Sequence, residues 1–205
     1  VSTLSKLRDD AAKYRKYYLK AISSILFVGM PISFFMVVTS RDLFFLLLGP
    51  QWTQASKIFS ILGLCAGMRI LYSTSGWLHV SLGRSDRWMR WGFVGSSILV
   101  LSFVVGLFFG PIGVAAAYAA VINLLTVPAI LYAGKPIGLQ LKELMSAVGR
   151  IVVAAVATGL IVSYMKSLFP LEWTILFRFV LSLLAFSIIY MVLIIILYRG
   201  TRPIR

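Results

Sequence analysis

Apolar stretches of bilayer length follow one another along this 205-residue chain, and that repetition decides its solvent before any single residue is considered. A membrane helix needs about 20 residues, and the sequence offers such runs near 18–40, 56–81, 89–110, 112–133, 148–169 and 173–198. Backbone amides in hydrocarbon must be satisfied within their own segment, so these runs predict helices. The expected fold is an all-α integral membrane bundle of about six transmembrane helices. Composition agrees: 60% of residues are hydrophobic and 13% charged, where a soluble domain would carry roughly a quarter charged residues.

The separators are Gly/Pro or charged breaks: Ser40-Arg41-Asp42, Gly83 to Arg87, Gly110-Pro111, Gly134-Lys135-Pro136 and Pro170-Leu171-Glu172. They divide 20 basic and 6 acidic side chains, a net charge of +14, very unevenly. With six spans, one side collects the N-terminal cluster from Lys6 to Lys20, then Arg84, Arg87 and Arg90, then Lys135, Lys142 and Arg150, then Arg199, Arg202 and Arg205. The other side holds Arg41, Lys57, Lys166 and Arg178. The positive-inside rule places the richer side, and both chain ends, in the cytoplasm. The excess charge therefore reads as topology, with membrane lipid as its partner and no nucleic acid.

These marks divide the chain into a cytoplasmic basic segment and helix start (1–17), four helices (18–133), a cytoplasmic loop or amphipathic helix (134–147), two further helices (148–198) and a basic tail (199–205). Asp9 and Asp10 sit where a helix dipole favours carboxylates, and the tyrosines among the following lysines suggest a helix base in the headgroup layer. Asp42–Leu48 is too short to span and is expected to lie along the outer interface; Gln140–Met145 is expected to do the same inside. The small-residue pairs Gly63/Gly67, Gly106/Gly110, Gly113/Ala117, Ala116/Ala120 and Ala155/Gly159 predict close helix approach. Pro31 and Pro128 fall inside spans and can kink them. The chain opens at Val1 on a charged segment, which suggests a fragment or processed piece.

Arg69 is the one basic residue left inside the membrane. About a dozen residues from either end of its span, it lies ~18 Å from both, too far for snorkelling. An arginine there costs about 2.5–3.5 kcal/mol on insertion scales, so a polar cavity or a partner must compensate. At about 100° per residue, Arg69, Tyr72, Ser73, Gly76 and His79 share one sector of the second helix, a polar stripe. Asn123, with Thr126 nearby, is a candidate hydrogen-bonding residue for a sugar or phosphate in the same cavity, or interhelical glue. Single Cys65 and His79 leave no Cys/His metal site, and Cys65 is expected as a small buried filler. All six carboxylates are expected in loops or at span ends, which disfavours catalysis and binding of Na⁺ or organic cations within the spans. No cofactor is expected.

Residues 1–10 with the basic-tyrosine stretch after them, Leu48-Gly49-Pro50-Gln51-Trp52, Leu82 to Arg87, and the Gly110–Ala117 turn into a helix together resemble bacterial polysaccharide-export flippases of the multidrug/oligosaccharidyl-lipid/polysaccharide exporter superfamily. The similarity runs to about residue 135. It implies one lobe of a two-lobed transporter around a central cavity, and a polyprenyl-diphosphate-linked oligosaccharide moved from the inner to the outer leaflet of the bacterial cytoplasmic membrane. It further implies that this is the C-terminal half and that an N-terminal helical lobe is its partner. A guanidinium suits a diphosphate, because it pairs with phosphate oxygens in forked geometry. Arg69, Tyr72, Ser73, His79 and Asn123 are the candidate substrate-binding residues. The alternatives are a cation-coupled drug exporter of the same superfamily, a membrane polysaccharide polymerase or ligase, and a purely structural membrane subunit.

Overall fold

A computed structural model describes residues 10–170 and 172–199, the last through its backbone. Among these described residues, six helices are each long and apolar enough to cross a membrane. They are α1 (Ala11–Leu48), α2 (Thr53–Ser81), α3 (Ser85–Leu107), α4 (Gly110–Gly134), α5 (Leu141–Ser167) and α6 (Ile175–Arg199), with 3₁₀ turns at Pro50–Trp52 and Lys135–Ile137. Among the described residues the expected all-α bundle of six membrane-length helices is present, with most boundaries moved by a few residues.

The largest boundary shift is in α1. Asp10 caps it, its carboxylate accepting from Lys13 N–H at 2.9 Å. The helix then runs through Ser40-Arg41-Asp42 without a break, so Asp42–Leu48 is its last two turns and not a separate interfacial element. Nothing in that triplet forbids helix. Termination waits for Gly49, at φ 90°, and Pro50, where a side chain and a missing N–H both oppose continuation. Gln140–Met145 likewise opens α5: Gln140 N–H donates to Glu143 Oε2 at 3.1 Å, half of a capping box, and the helix continues to Ser167. Pro31 and Pro128 both lie within uninterrupted helices.

α1 is the central element, flanked by α2, α5 and α6; α4 lies beyond α2, and α3 lies outermost on α4. Contacts across the helices fix their polarity. Tyr14 of α1 bonds Ser81 at the end of α2, Arg15 donates to the carbonyls of Ile137 and Gly138 at 2.9 and 3.1 Å, and Arg87 donates to Tyr132 O at 2.6 Å. The Arg150 guanidinium lies 5.6 Å from the Tyr198 ring centre. The start of α1, the α2–α3 and α4–α5 junctions and the end of α6 therefore gather at one end, the basic end. At the opposite end Lys166 of α5 meets Asp42 of α1 at 2.6 Å.

Small and hydroxyl residues weld the bundle. Ser33 donates to Gly63 O and accepts from Gly67 N–H, the latter at 2.9 Å, so two glycines one turn apart admit α1 against α2. Gly106 meets Gly113 and Val114 backbone atoms, which seats α3 on α4; Gly159 opens to Phe34 and Val38 of α1 beside buried Ala155. Two expected pairs differ. Gly110 serves the α3–α4 turn at φ 69°, where a Cβ would meet no described atom within 4 Å, while Ala116 and Ala120 are exposed and Ala115 and Ala119 face inward, one residue out of register. Cys65 is buried against Ala119 and Ile122, the filler expected of it. Of the tyrosines at the helix base, Tyr14 and Tyr18 face the protein interior and not lipid: both are fully buried, and the Tyr18 hydroxyl bonds Thr74 at 2.8 Å.

Candidate substrate-facing site

Helix α2 presents its buried side to α1 and α4 through Gly63, Gly67, Leu71, Thr74 and Leu78, and leaves the opposite side open. Arg69 sits on the open side, sixteen residues after Thr53 and twelve before Ser81. At 1.5 Å rise per residue it stands ~18 Å or more from either end of the helix. Its guanidinium carbon lies 5.5 Å from the Tyr72 ring centre, a cation–π contact one turn away on the same helix. Among the described residues it makes no hydrogen bond or ion pair, so nothing anionic in them offsets its charge. Ser73 shares that exposed face, with its hydroxyl turned back to Ile70 O at 2.6 Å.

Tyr72 links Arg69 to the neighbouring helices. Tyr72 is half-buried toward α3, where its hydroxyl accepts from Trp91 Nε1 at 3.1 Å. Trp91 stacks on Tyr132 of α4, ring centres 5.4 Å apart and planes at 26°, and the Arg87 guanidinium covers the Tyr132 ring at 4.4 Å. A ladder from Arg69 through Tyr72, Trp91 and Tyr132 to Arg87 thus ties α2, α3 and α4 together. Tyr72, held from α3, forms the surface against which the Arg69 side chain rests.

His79 is buried at 1% exposure, 6.0 Å between ring centres from Tyr132, and neither ring nitrogen has a hydrogen-bond partner among the described residues. It lies behind the ladder, apart from the face of Arg69 and Ser73. Asn123 is half-buried on α4 and donates to Ala119 O of its own helix at 2.8 Å. Its neighbour Thr126 is the one that reaches α2, contacting Met68 O at 3.3 Å. The structure therefore brings Arg69, Tyr72 and Ser73 together and sets His79 and Asn123 off that surface.

Asp42 and Lys166 escaped the sequence reading. Asp42 was expected at a span end; it is a buried residue within α1, and Lys166 both pairs with it and donates to Val38 O at 2.7 Å. The carboxylate is neutralised in place, so this buried acid offers no free charge to a cation. The remaining described carboxylates, Asp10, Asp86, Glu143 and Glu172, are exposed or half-exposed. Trp91 and Tyr132 were missed as well. Their sequence signal was the Arg87–Trp91 spacing of one helical turn, which aligns a cation and an aromatic ring on one face.

A family described as "Polysaccharide biosynthesis protein" matches residues 1–57. A Klebsiella pneumoniae protein, described as an uncharacterized membrane protein in the cps region, is 23% identical over 109 residues. That match covers 53% of this chain and 22% of the Klebsiella protein. A solved structure of the lipid II flippase MurJ in an inward closed conformation superposes with a TM-score of 0.68 at 21% identity. It covers 96% of this chain and 42% of that one, so the chain spans less than half the length of the transporter whose fold it shares. The chain is a multi-pass membrane protein that shares the fold of that structure, and its N-terminal residues resemble a polysaccharide biosynthesis family.

Proposed function

We propose that this chain forms one lobe of a flippase that carries polyprenyl-diphosphate-linked oligosaccharide from the inner to the outer leaflet of the cytoplasmic membrane. The basic end faces the cytoplasm in this reading, following the positive-inside rule. Arg69 is the lobe's contact for the diphosphate, supported at its flank by Tyr72 and Ser73. The observation that carries the proposal is the mid-helix arginine on an open face, with no anionic partner among the described residues. Such a charge must be met by water, by a second lobe or by an anionic ligand. In a fold shared with a lipid II flippase, a diphosphate headgroup supplies the complementary charge.

The test uses the intact protein reconstituted in vesicles with a fluorescent polyprenyl-diphosphate oligosaccharide. Arg69→Ala is expected to lower the rate of leaflet exchange at least about tenfold, the loss of roughly one charge-assisted contact of 1.4 kcal/mol or more. Arg69→Lys should retain part of the rate, because it keeps the charge and loses the fork. Unchanged transport by Arg69→Ala removes the residue from the mechanism.

A further inference from the structure

Tryptophan beside arginine at the base of a membrane helix commonly anchors in the headgroup layer, yet the surroundings of Trp88 on α3 are unusual. Its indole lies against Gly76 of α2: a Cβ built on that glycine would come within 3.4 Å of Trp88 Cζ2 and 3.8 Å of Cε2. The tryptophan still keeps 47% of its surface exposed. One turn along α3 on the same side is Gly92, and nothing stands within 4 Å of where its Cβ would be. The indole is thus backed on one side by a bare stretch of backbone and left open along its own helix.

Gly76 belongs to the same side of α2 as Arg69 and Ser73. Seven residues separate Gly76 from Arg69, which is ~10 Å along the axis and ~20° around it. Because Tyr72 meets Trp91 and Gly76 meets Trp88, the two helices run antiparallel in register, and this seam has Trp88 at one end, Arg69 at the other, and Ser73 between them. An exposed indole face takes flat, apolar ring faces, and a guanidinium takes phosphate oxygens. Few ligands carry both at such a spacing.

We propose that the α2–α3 seam is a glycan-reading site, in which Trp88 stacks a sugar ring of a lipid-linked oligosaccharide whose diphosphate is at Arg69. This rests on the flippase reading above and adds a sugar-contacting residue to it. Gly76 gives the indole bare backbone to lie against, at ordinary contact distance even for a Cβ, and Gly92 leaves the seam open beside it.

The intact protein is assayed in vesicles with two lipids, the polyprenyl diphosphate bearing its oligosaccharide and the same lipid diphosphate without sugar. Trp88→Leu is expected to slow the sugar-bearing lipid about tenfold, the loss of one contact of about 1.4 kcal/mol. It should leave the sugar-free lipid within about twofold, and Trp88→Phe should restore most of the loss. Unchanged transport of the sugar-bearing lipid by Trp88→Leu overturns the proposal, and so does equal slowing of both lipids, the result expected of a plain interfacial anchor. If the wild-type protein moves neither lipid, the flippase reading fails by itself. Titrating lipid-free oligosaccharide against tryptophan emission then decides the sugar contact: a saturable change lost in Trp88→Phe supports it, and the same change in both proteins refutes it.

Discussion

Cutting the Asp42–Lys166 pair from either side should expose how much of the bundle's stability rests on one contact far from the candidate site. Lys166 Nζ is 2.6 Å from Asp42 Oδ2, and the two side chains are only 13% and 11% exposed. Lys166 also donates to Val38 O at 2.7 Å, so the ammonium has a second acceptor and the carboxylate depends on the ammonium. Removing one member of such a pair leaves an uncompensated buried charge, at about 3–5 kcal/mol, whereas replacing both by apolar groups of similar volume is near neutral. The asymmetry of partners orders the variants. Lys166→Met, which strands the carboxylate, should be the more destabilising, Asp42→Asn less so, and Asp42→Leu with Lys166→Met should recover most of the loss. Reversible unfolding of the intact protein in mixed micelles, read as a double-mutant cycle, measures the coupling directly. A coupling below about 0.5 kcal/mol, or simple additivity of the two single changes, would refute the reasoning, since it would mean the pair is solvated like a surface one.

Gly106→Val places methyl groups where Val114 Cα and Gly113 O stand 2.8–2.9 Å from a built Cβ, so α3 should lift from α4; a cysteine pair engineered across that interface should lose its crosslinking in the variant. Gly110→Ala should destabilise by about 1–2 kcal/mol through backbone strain alone, because the residue sits at φ 69° and an added Cβ would meet no described atom within 4 Å. Gly110→Asn should recover part of that, and equal unfolding free energies for the three proteins would contradict the strain argument. Tyr18→Phe should cost about 1 kcal/mol in the same unfolding assay by leaving the Thr74 hydroxyl without its buried partner, while conservation of overall helix content by circular dichroism confirms that the change is local.

Helix number and type were legible because a bilayer imposes length, and six apolar runs satisfy it whatever their packing. Arg69 was legible for the same reason: hydrocarbon leaves a mid-span arginine few explanations. What the sequence hid was set by contacts distant along the chain. Ser40-Arg41-Asp42 reads as a polar break until Lys166, over a hundred residues on, turns the aspartate into a buried partner and the helix runs through. Tyr14 and Tyr18 carry the composition of an interfacial belt, and only Ser81 and Thr74 of α2 make them core residues. The polar stripe on α2 was correct as an angular sector and too generous as a surface. A sector of about 120° reaches from the open face to the buried one, so Arg69 and Ser73 look outward while His79, at its far edge, is enclosed behind Tyr132.

The central claim is that Arg69 faces a water-filled cavity shared with an anionic headgroup. It is tested most directly by cysteine accessibility in the intact protein, with Cys65→Ser removing the native thiol. A charged, water-soluble thiol reagent should modify Arg69→Cys and Ser73→Cys, spare Leu101→Cys on the exposed apolar side of α3, and be slowed at position 69 by added lipid-linked oligosaccharide. Labelling at position 69 as poor as at position 101 would place that face against lipid tails and contradict the account.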